Sequence, residues 1–200
     1  MKNLKTVSTI TSTALSTLLF MAMPAAHADD TQADGWTGNV SGYVGHKSVD
    51  DDDWPNLDSQ RSAGVISDFR KQNWPVSIAA DLIFAAADNG SGTIENTGGT
   101  AEMHLGARKI FTLKNTSFRP YVGGGIAIIS ASLENENAGV TIEDDDTVFG
   151  AWIGAGTYYA VTPSFNLGLD VRYSKAEVTL FDIDREAGGL YAGITAGYHW

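Results

Sequence analysis

Eight ionisable side chains stand at alternate positions in segments whose intervening positions are mostly apolar or small. They are Asp68, Arg70, Asp81, Glu102, His104, Arg108, Asp170 and Arg172. Side chains alternate between the two faces of a β-strand, so these groups would share one face of their strands. Acids and bases occur in comparable number, which allows the paired, hydrogen-bonded network that buried charges require.

Such a network has two possible roles. As an ion path or gate, it would let Arg108 or Arg172 switch between Glu102, Asp81 and Asp170. As a filler, it would occupy and rigidify the space that the strands enclose. We favour the filler, because the interior of an eight-stranded barrel is only just wide enough for its own side chains.

Carboxylates also cluster between the strand segments. The clusters are Asp50, Asp51, Asp52 and Asp53; Glu143, Asp144, Asp145 and Asp146; and Asp182, Asp184 and Glu186. Clustered carboxylates suit Ca²⁺ or Mg²⁺, but no calcium-loop spacing with its glycine and distal glutamate is present. We therefore predict no specific metal site. We interpret the clusters as a solvated, repulsive surface that keeps strand edges from pairing and attracts divalent cations diffusely.

Eight alternating segments position these residues. They are 36–45, 61–70, 76–84, 101–108, 118–130, 148–161, 165–174 and 190–200. Short turns at 71–75, 112–117 and 162–164 alternate with four long loops, of which 88–99 is Gly/Asn-rich, 133–146 is acidic and 176–188 is the last. Stretches 139–143 and 178–183 could prolong strands above a membrane. This alternation of turns and loops is typical of outer-membrane barrels. It predicts an all-β, eight-stranded, antiparallel up-and-down transmembrane β-barrel.

The apolar face distinguishes a membrane barrel from a soluble one. Segment 165–174 places Phe165, Leu167, Leu169, Val171 and Tyr173 on one parity. A soluble, lipocalin-type barrel would pack these and their equivalents from seven other strands into a narrow interior. A membrane barrel points them at lipid and encloses the charged parity with its interleaved glycines. We therefore predict the membrane barrel.

Aromatic residues agree with this orientation, because many fall at strand ends assigned to the periplasmic side. These are Trp36, Trp74, Tyr121, Phe165, Tyr198 and Trp200. A girdle of this kind is typical of a membrane interface.

The first 28 residues have the pattern of a cleaved signal peptide. Lys2 and Lys5 precede a moderately apolar stretch, and Ala26 and Ala28 form a small-x-small cleavage signal. An uncleaved anchor is the alternative, but serines and threonines interrupt the stretch, which is shorter than the ~20 residues a spanning helix needs. We predict an outer-membrane β-barrel domain over residues 29–200.

Charge and composition exclude several classes of function. Without the leader, 11 Lys and Arg face 24 Asp and Glu, a net charge of −13. This argues against nucleic acid as a partner, because nucleic acid requires a basic surface. The chain has no cysteine, so it offers neither disulfides nor thiol catalysis. No pattern indicates a cofactor.

Three stretches carry a resemblance to a known family. They are Pro120-Tyr121-Val122-Gly123-Gly124-Gly125, the run 154–163, and its continuation 165–174, followed by the terminal aromatic. Over residues 36–200 the chain resembles the small outer-membrane β-barrel proteins of the OmpX and OmpA transmembrane-domain type. The resemblance implies an outer-membrane location. It also implies that Tyr198 and Trp200 belong to the signal read by the barrel-assembly machinery.

The resemblance leaves function open, because this fold serves structural proteins, adhesins, small pores and lipid-modifying enzymes. His46 and Ser48, on one strand face, have a distant similarity to the His/Ser pair of lipid A deacylases. They differ from it in position, and neither a third group nor an oxyanion donor is visible. We predict no catalytic residue and a monomeric structural or surface-interaction protein with acidic external loops and a plugged polar lumen. Its partners would be outer-membrane lipid and lipopolysaccharide. The alternatives are a narrow pore of the porin type and a lipid A-modifying enzyme.

Overall fold

A computed structural model describes residues 35–91, 94–137 and 140–200, and the regular elements within them are β-strands. They are β1 (Trp36–Ser48), β2 (Ser59–Lys71), β3 (Ser77–Ser91), β4 (Ile94–Ile110), β5 (Phe118–Asn137), β6 (Val140–Ala160), β7 (Phe165–Lys175), β8 (Glu177–Leu180), β9 (Ile183–Glu186) and β10 (Gly189–His199). The predicted signal peptide, residues 1–28, lies outside the described residues. Within the described ranges, no helix is long and apolar enough to cross a membrane.

Eight of these strands form one closed antiparallel barrel in the order β1, β10, β7, β6, β5, β4, β3, β2. The last strand closes on the first, with pairs from Asn39 and His199 to Ser48 and Leu190. One step further, the Trp200 amide donates to the Gly38 carbonyl at 3.1 Å, and the Gly38 amide donates in return at 3.2 Å. The predicted eight-stranded up-and-down barrel is therefore confirmed.

The outer face of the barrel is apolar over a height that matches a membrane. On β6 the outward positions run from Tyr159 at the end with the short turns to Phe149 at the end with the long loops, ten residues away. At about 3.3 Å per residue and a tilt of roughly 40°, this distance spans about 25 Å. Phe149 and Ile153 are 79% and 66% exposed to the surroundings. We call the two ends of the barrel the turn end and the loop end.

Aromatic side chains mark both ends of this band. The outward aromatics at the turn end are Trp36, Trp74, Phe118, Tyr159, Phe165, Tyr198 and Trp200. At the loop end they are Phe84, Phe149 and Tyr173. The prediction that Tyr121 belongs to the girdle is wrong. It shares the inward parity of Gly123 on β5, and it is buried inside the barrel.

Strands β3 to β6 extend well beyond the membrane band. The sequence predicts residues 88–99 and 133–146 as loops, with a strand extension suggested at 139–143. In the structure they continue the ladders as far as the pairs Ser91 with Ile94 and Asn137 with Val140. We call this extension, residues 85–91, 94–101, 130–137 and 140–147, the raised sheet. Gly98 lies in this sheet because the packing leaves no room for a side chain: a Cβ on Gly98 would lie 3.1 Å from the Trp54 ring.

The last long loop folds into the hairpin β8–β9, whose strands pair from Glu177 with Glu186 to Leu180 with Ile183. Phe181 and Asp182 at its tip have φ angles of 52° and 61°, the left-handed conformation that tight hairpin turns require. The hairpin packs its apolar side into a buried cluster at the loop end. That cluster includes Val49, Trp54, Leu57, Leu133, Trp152, Val178, Leu180 and Ala187.

Candidate functional site

The lumen contains a hydrogen-bonded ion network centred on Asp81 of β3. Its Oδ2 accepts from Arg108 Nη2 at 2.7 Å and from Arg172 Nη1 at 2.8 Å. Arg172 also donates two hydrogen bonds to the Asp170 carboxylate, from Nε at 2.7 Å and from Nη2 at 3.0 Å. Arg108 reaches Asp68 at 3.4 Å. These five side chains come from four strands and tie opposite walls of the barrel together.

A second layer of the network lies closer to the loop end and is centred on Glu102. Its Oε1 accepts from Lys47 Nζ at 2.8 Å and from the Tyr191 hydroxyl at 2.5 Å, and its Oε2 lies 2.8 Å from His104 Nε2. His104 Nδ1 lies 3.2 Å from Arg172 Nη1, so the imidazole joins the two layers. Lys47 further donates to the Ala187 carbonyl at 2.7 Å. That bond attaches the barrel wall to the base of the fourth loop.

Tyrosine side chains fill the space around the charges. The Tyr121 hydroxyl donates to Asp170 at 2.5 Å, and the Tyr158 hydroxyl donates to Asp68 at 3.2 Å. The inward glycines provide room for such rings: a Cβ on Gly156 would lie 2.4 Å from the Tyr121 oxygen, and one on Gly193 would lie 2.5 Å from the Tyr43 ring. The small residues on the charged parity therefore accommodate aromatic rings.

Seven of the eight ionisable residues singled out in the sequence are at least 97% buried in the lumen, namely Asp68, Asp81, Glu102, His104, Arg108, Asp170 and Arg172. Arg70 is the exception. It lies half-buried at the turn end, and no described carboxylate lies within 4.0 Å of it. The ion-gate alternative would have Arg108 or Arg172 move onto Glu102, but that carboxylate is bound by Lys47 and Tyr191.

Sequence reasoning missed Lys47 and the inward tyrosines. Lys47 continues the inward parity of β1 by one step beyond the predicted strand end, so a longer strand would have included it. Tyr121 lies on the inward parity of β5 with Gly123 and Gly125, and Tyr158 lies on the inward parity of β6 with Trp152. The alternation of side chains along these strands, followed to the strand ends, predicts that all of them face the lumen.

Comparison with known proteins identifies the family. A family model described as the outer membrane protein beta-barrel domain matches residues 12–200. The chain belongs to this family. It is an outer-membrane protein, and the predicted family resemblance is confirmed. No curated protein matches the chain.

Solved structures of small outer-membrane barrels have the same fold as this family member. OprG from Pseudomonas aeruginosa has a TM-score of 0.58 at 13% identity, with 84% of this chain and 97% of that chain covered. Ail, the attachment invasion locus protein of Yersinia pestis, in complex with the heparin analogue sucrose octasulfate, gives 0.54 at 14%, covering 84% and 100%. Neisserial surface protein A gives 0.52 at 16%, covering 82% and 96%.

In this outer-membrane barrel protein, His46 contacts Ser59 and not Ser48, the serine that the sequence suggested as its partner. His46 Nε2 lies 3.1 Å from the hydroxyl of Ser59 on the neighbouring strand, and not next to Ser48. Among the described residues no carboxylate lies within 4.0 Å of His46.

Several loop carboxylates are hydrogen-bond acceptors within the fold instead of solvated surface groups. Asp144 accepts from the amide of Phe181 at 2.6 Å, and Asp146 accepts from the amide of Thr179 at 2.9 Å. Asp53 accepts from the amide of Glu186 at 2.7 Å. Backbone amides thus anchor the hairpin β8–β9 to β6 and to the first loop. The carboxylates of Asp50, Asp51 and Asp52 are exposed and lie within 4.8 Å of one another.

Proposed function

We propose that this outer-membrane barrel acts through its external surface as a structural and surface-interaction protein, and that its lumen does not conduct ions. The interaction surface in this proposal is the raised sheet. The observation that carries it is the open edge of β6: residues 140–150 pair with β5, whereas pairing with β7 begins only at Ala151. An open edge offers backbone donors and acceptors to a partner strand.

Side chains near the tip of this edge favour an incoming strand. Val140 and Ile142 are 62% and 57% exposed, and together with Thr141 they form a β-branched segment that suits sheet pairing. Lower on the edge, Asp144 and Asp146 bind the hairpin β8–β9, so that part is covered. The accessible segment is therefore residues 140–143.

The charge of the raised sheet favours a basic partner. Glu134 and Glu143 lie directly opposite each other on the outward face, and Asp145 follows on the same face. Like charges in a direct cross-strand pair repel each other, and a cationic partner would relieve that repulsion. We therefore propose an extended, basic peptide segment of another protein as the partner, added to β6 as a further strand.

Binding of an acetylated, alternating Lys–Val heptapeptide to the protein in lipid nanodiscs tests this function. We expect binding that weakens with salt, since the attraction is electrostatic. Ile142→Lys should weaken binding about tenfold, because a lysine on the edge repels the peptide and blocks pairing. Ile183→Lys is the matched control: that residue is 53% exposed on β9, outside the raised sheet. Equal binding of a Glu–Val heptapeptide, or equal loss in both variants, would overturn the proposal.

Two layers of packing support a closed lumen. The ion network spans the lumen with direct contacts between strands, and the apolar cluster under β8–β9 lies above it. An ion crossing this path would have to displace paired charges and then enter an apolar region, which is unfavourable.

Membrane assembly and lipid contact complete the proposal. Tyr198 and Trp200 are exposed on the lipid face of the closing seam, with ring centroids 6.1 Å apart. We propose these residues as the signal for the barrel-assembly machinery, with outer-membrane lipid and lipopolysaccharide around the band and a monomer as the functional unit.

A further inference from the structure

The turn end of the barrel opens into a polar cavity of about 300 Å³ that the proposed function does not use. Its lining includes Asn39, Arg70, Arg119, Asn166 and His199, which belong to five different strands. The ion network closes it on the inner side through Asp68 and Tyr158. Its size is at the small end of ligand pockets, which are roughly 300–1,000 Å³. Outer-membrane barrels direct their short turns to the periplasm, so the cavity faces periplasmic solutes.

Among the side chains that line this cavity, two arginines stand against one carboxylate, although the chain has a net charge of −11. No described carboxylate lies within 4.0 Å of Arg70 or Arg119. Asp68 is the acidic side chain in the lining, and it is engaged by Arg108 and by the Tyr158 hydroxyl. Two arginines are thus available for an anion, and guanidinium groups match carboxylates particularly well because they can bond both oxygens.

A buried acceptor lies in the same lining. Asn166 is 98% buried; its Nδ2 donates to Asn39 Oδ1 at 2.6 Å and lies 3.2 Å from His199 Nδ1. Its Oδ1 has no hydrogen-bond partner among the described residues. A buried carbonyl oxygen normally has a donor, so this atom has the capacity to accept from an N–H or O–H group of a ligand.

We propose that this cavity binds the free carboxyl end of a periplasmic peptide. The terminal carboxylate binds Arg70 and Arg119, and the amide N–H of the same terminal residue donates to Asn166 Oδ1. One residue fills the cavity, while the rest of the peptide extends out of the open mouth. The site is at the opposite end of the barrel from the raised sheet, so its test is independent of the proposed function.

Small probes separate the two parts of this recognition. N-acetylalanine carries both the carboxylate and the amide N–H, N-acetylalanine amide lacks the carboxylate, and propionate lacks the N–H. We would titrate each into the full barrel in nanodiscs and follow amide chemical shifts. N-acetylalanine should bind with a millimolar Kd, as expected of so small a ligand. Propionate should bind about tenfold more weakly, and the amide should not bind measurably.

Arginine variants locate the site. Arg70→Ala and Arg119→Ala should each weaken N-acetylalanine binding about tenfold, and Arg119→Lys should restore part of the loss. Arg61→Ala is the control, because it removes the same charge from an exposed position at the loop end. The proposal is wrong if N-acetylalanine does not bind, if inorganic phosphate binds equally well, or if Arg61→Ala weakens binding as much as the other two variants do.

Discussion

At the residue scale, Asp81 is the group on which the lumen network depends. Its Oδ2 is shared by Arg108 and Arg172, and its Oδ1 accepts from the Ser67 amide at 2.9 Å. All three ionised side chains are at least 98% buried. Buried charges of this kind persist only while they are paired, because the desolvation cost of each is several kcal/mol.

Asp81→Ala should therefore destabilise the barrel strongly. It leaves two guanidinium groups short of a counter-charge, and breaking a buried pair in this way costs about 3–5 kcal/mol. The free energy of unfolding in urea, followed by the gel shift between folded and unfolded forms, measures the effect. Asp145→Ala, which removes an exposed carboxylate, should change it by less than about 0.5 kcal/mol. Equal stability of the two variants would mean that the network only fills space.

Which residues face the lumen could be predicted from parity, but their partners could not. Arg172 and Asp81 are 91 positions apart, and they meet across the lumen because the closed barrel fixes the registers of the intervening strands. The register between neighbouring strands cannot be read from a single sequence. The prediction for Tyr121 is wrong because it relied on the usual interfacial position of aromatic residues at strand ends. The alternation of side chains along β5 instead places Tyr121 on the face that lines the lumen.

At the element scale, the hairpin β8–β9 depends on side chains outside itself. Its strands have four residues each, and isolated hairpins are at best marginally stable. Val178 and Leu180 are fully buried, and the carboxylates of Asp144 and Asp146 accept two of its amides. The sequence does not show that β6 continues through the acidic run 143–146. Four consecutive acidic residues are typical of a loop, and they form a strand here because the amides of the hairpin donate to two of their carboxylates.

Asp144→Ala with Asp146→Ala should loosen this hairpin without opening the barrel. The Thr179 and Phe181 amides lose their acceptors, so their hydrogen exchange should speed up at least tenfold, while the amides of β7 and β10 remain protected. Asp145→Ala removes a neighbouring carboxylate that no hairpin amide uses, and exchange there should be unchanged. Identical exchange in all three proteins would show that the apolar packing alone holds the hairpin.

At the scale of the whole molecule, one closed sheet contacts lipid on its outer face, encloses a charged lumen and extends above the membrane. Its outward apolar band meets lipid over about 25 Å, the height typical of outer-membrane barrels. Its inward parity holds paired charges, and its extension above the membrane carries an acidic, open-edged sheet. The barrel itself followed from alternation and from the order of turns and loops. Most of the raised sheet did not follow from the sequence, which suggested only the extension at 139–143. Gly/Asn-rich and acidic stretches have low strand propensity, and they become strands here through packing with Trp54 and the hairpin.

Single-channel conductance in planar bilayers tests the central claim that the lumen is closed by its own side chains. The refolded protein, shown to be inserted by its heat-modifiable band in recovered membranes, should give no stable current steps at any moderate voltage. We expect this because an ion crossing the lumen would have to displace the paired arginines and enter the apolar cluster. Reproducible, long-lived conductance steps from the wild-type protein would contradict the account and favour a narrow pore.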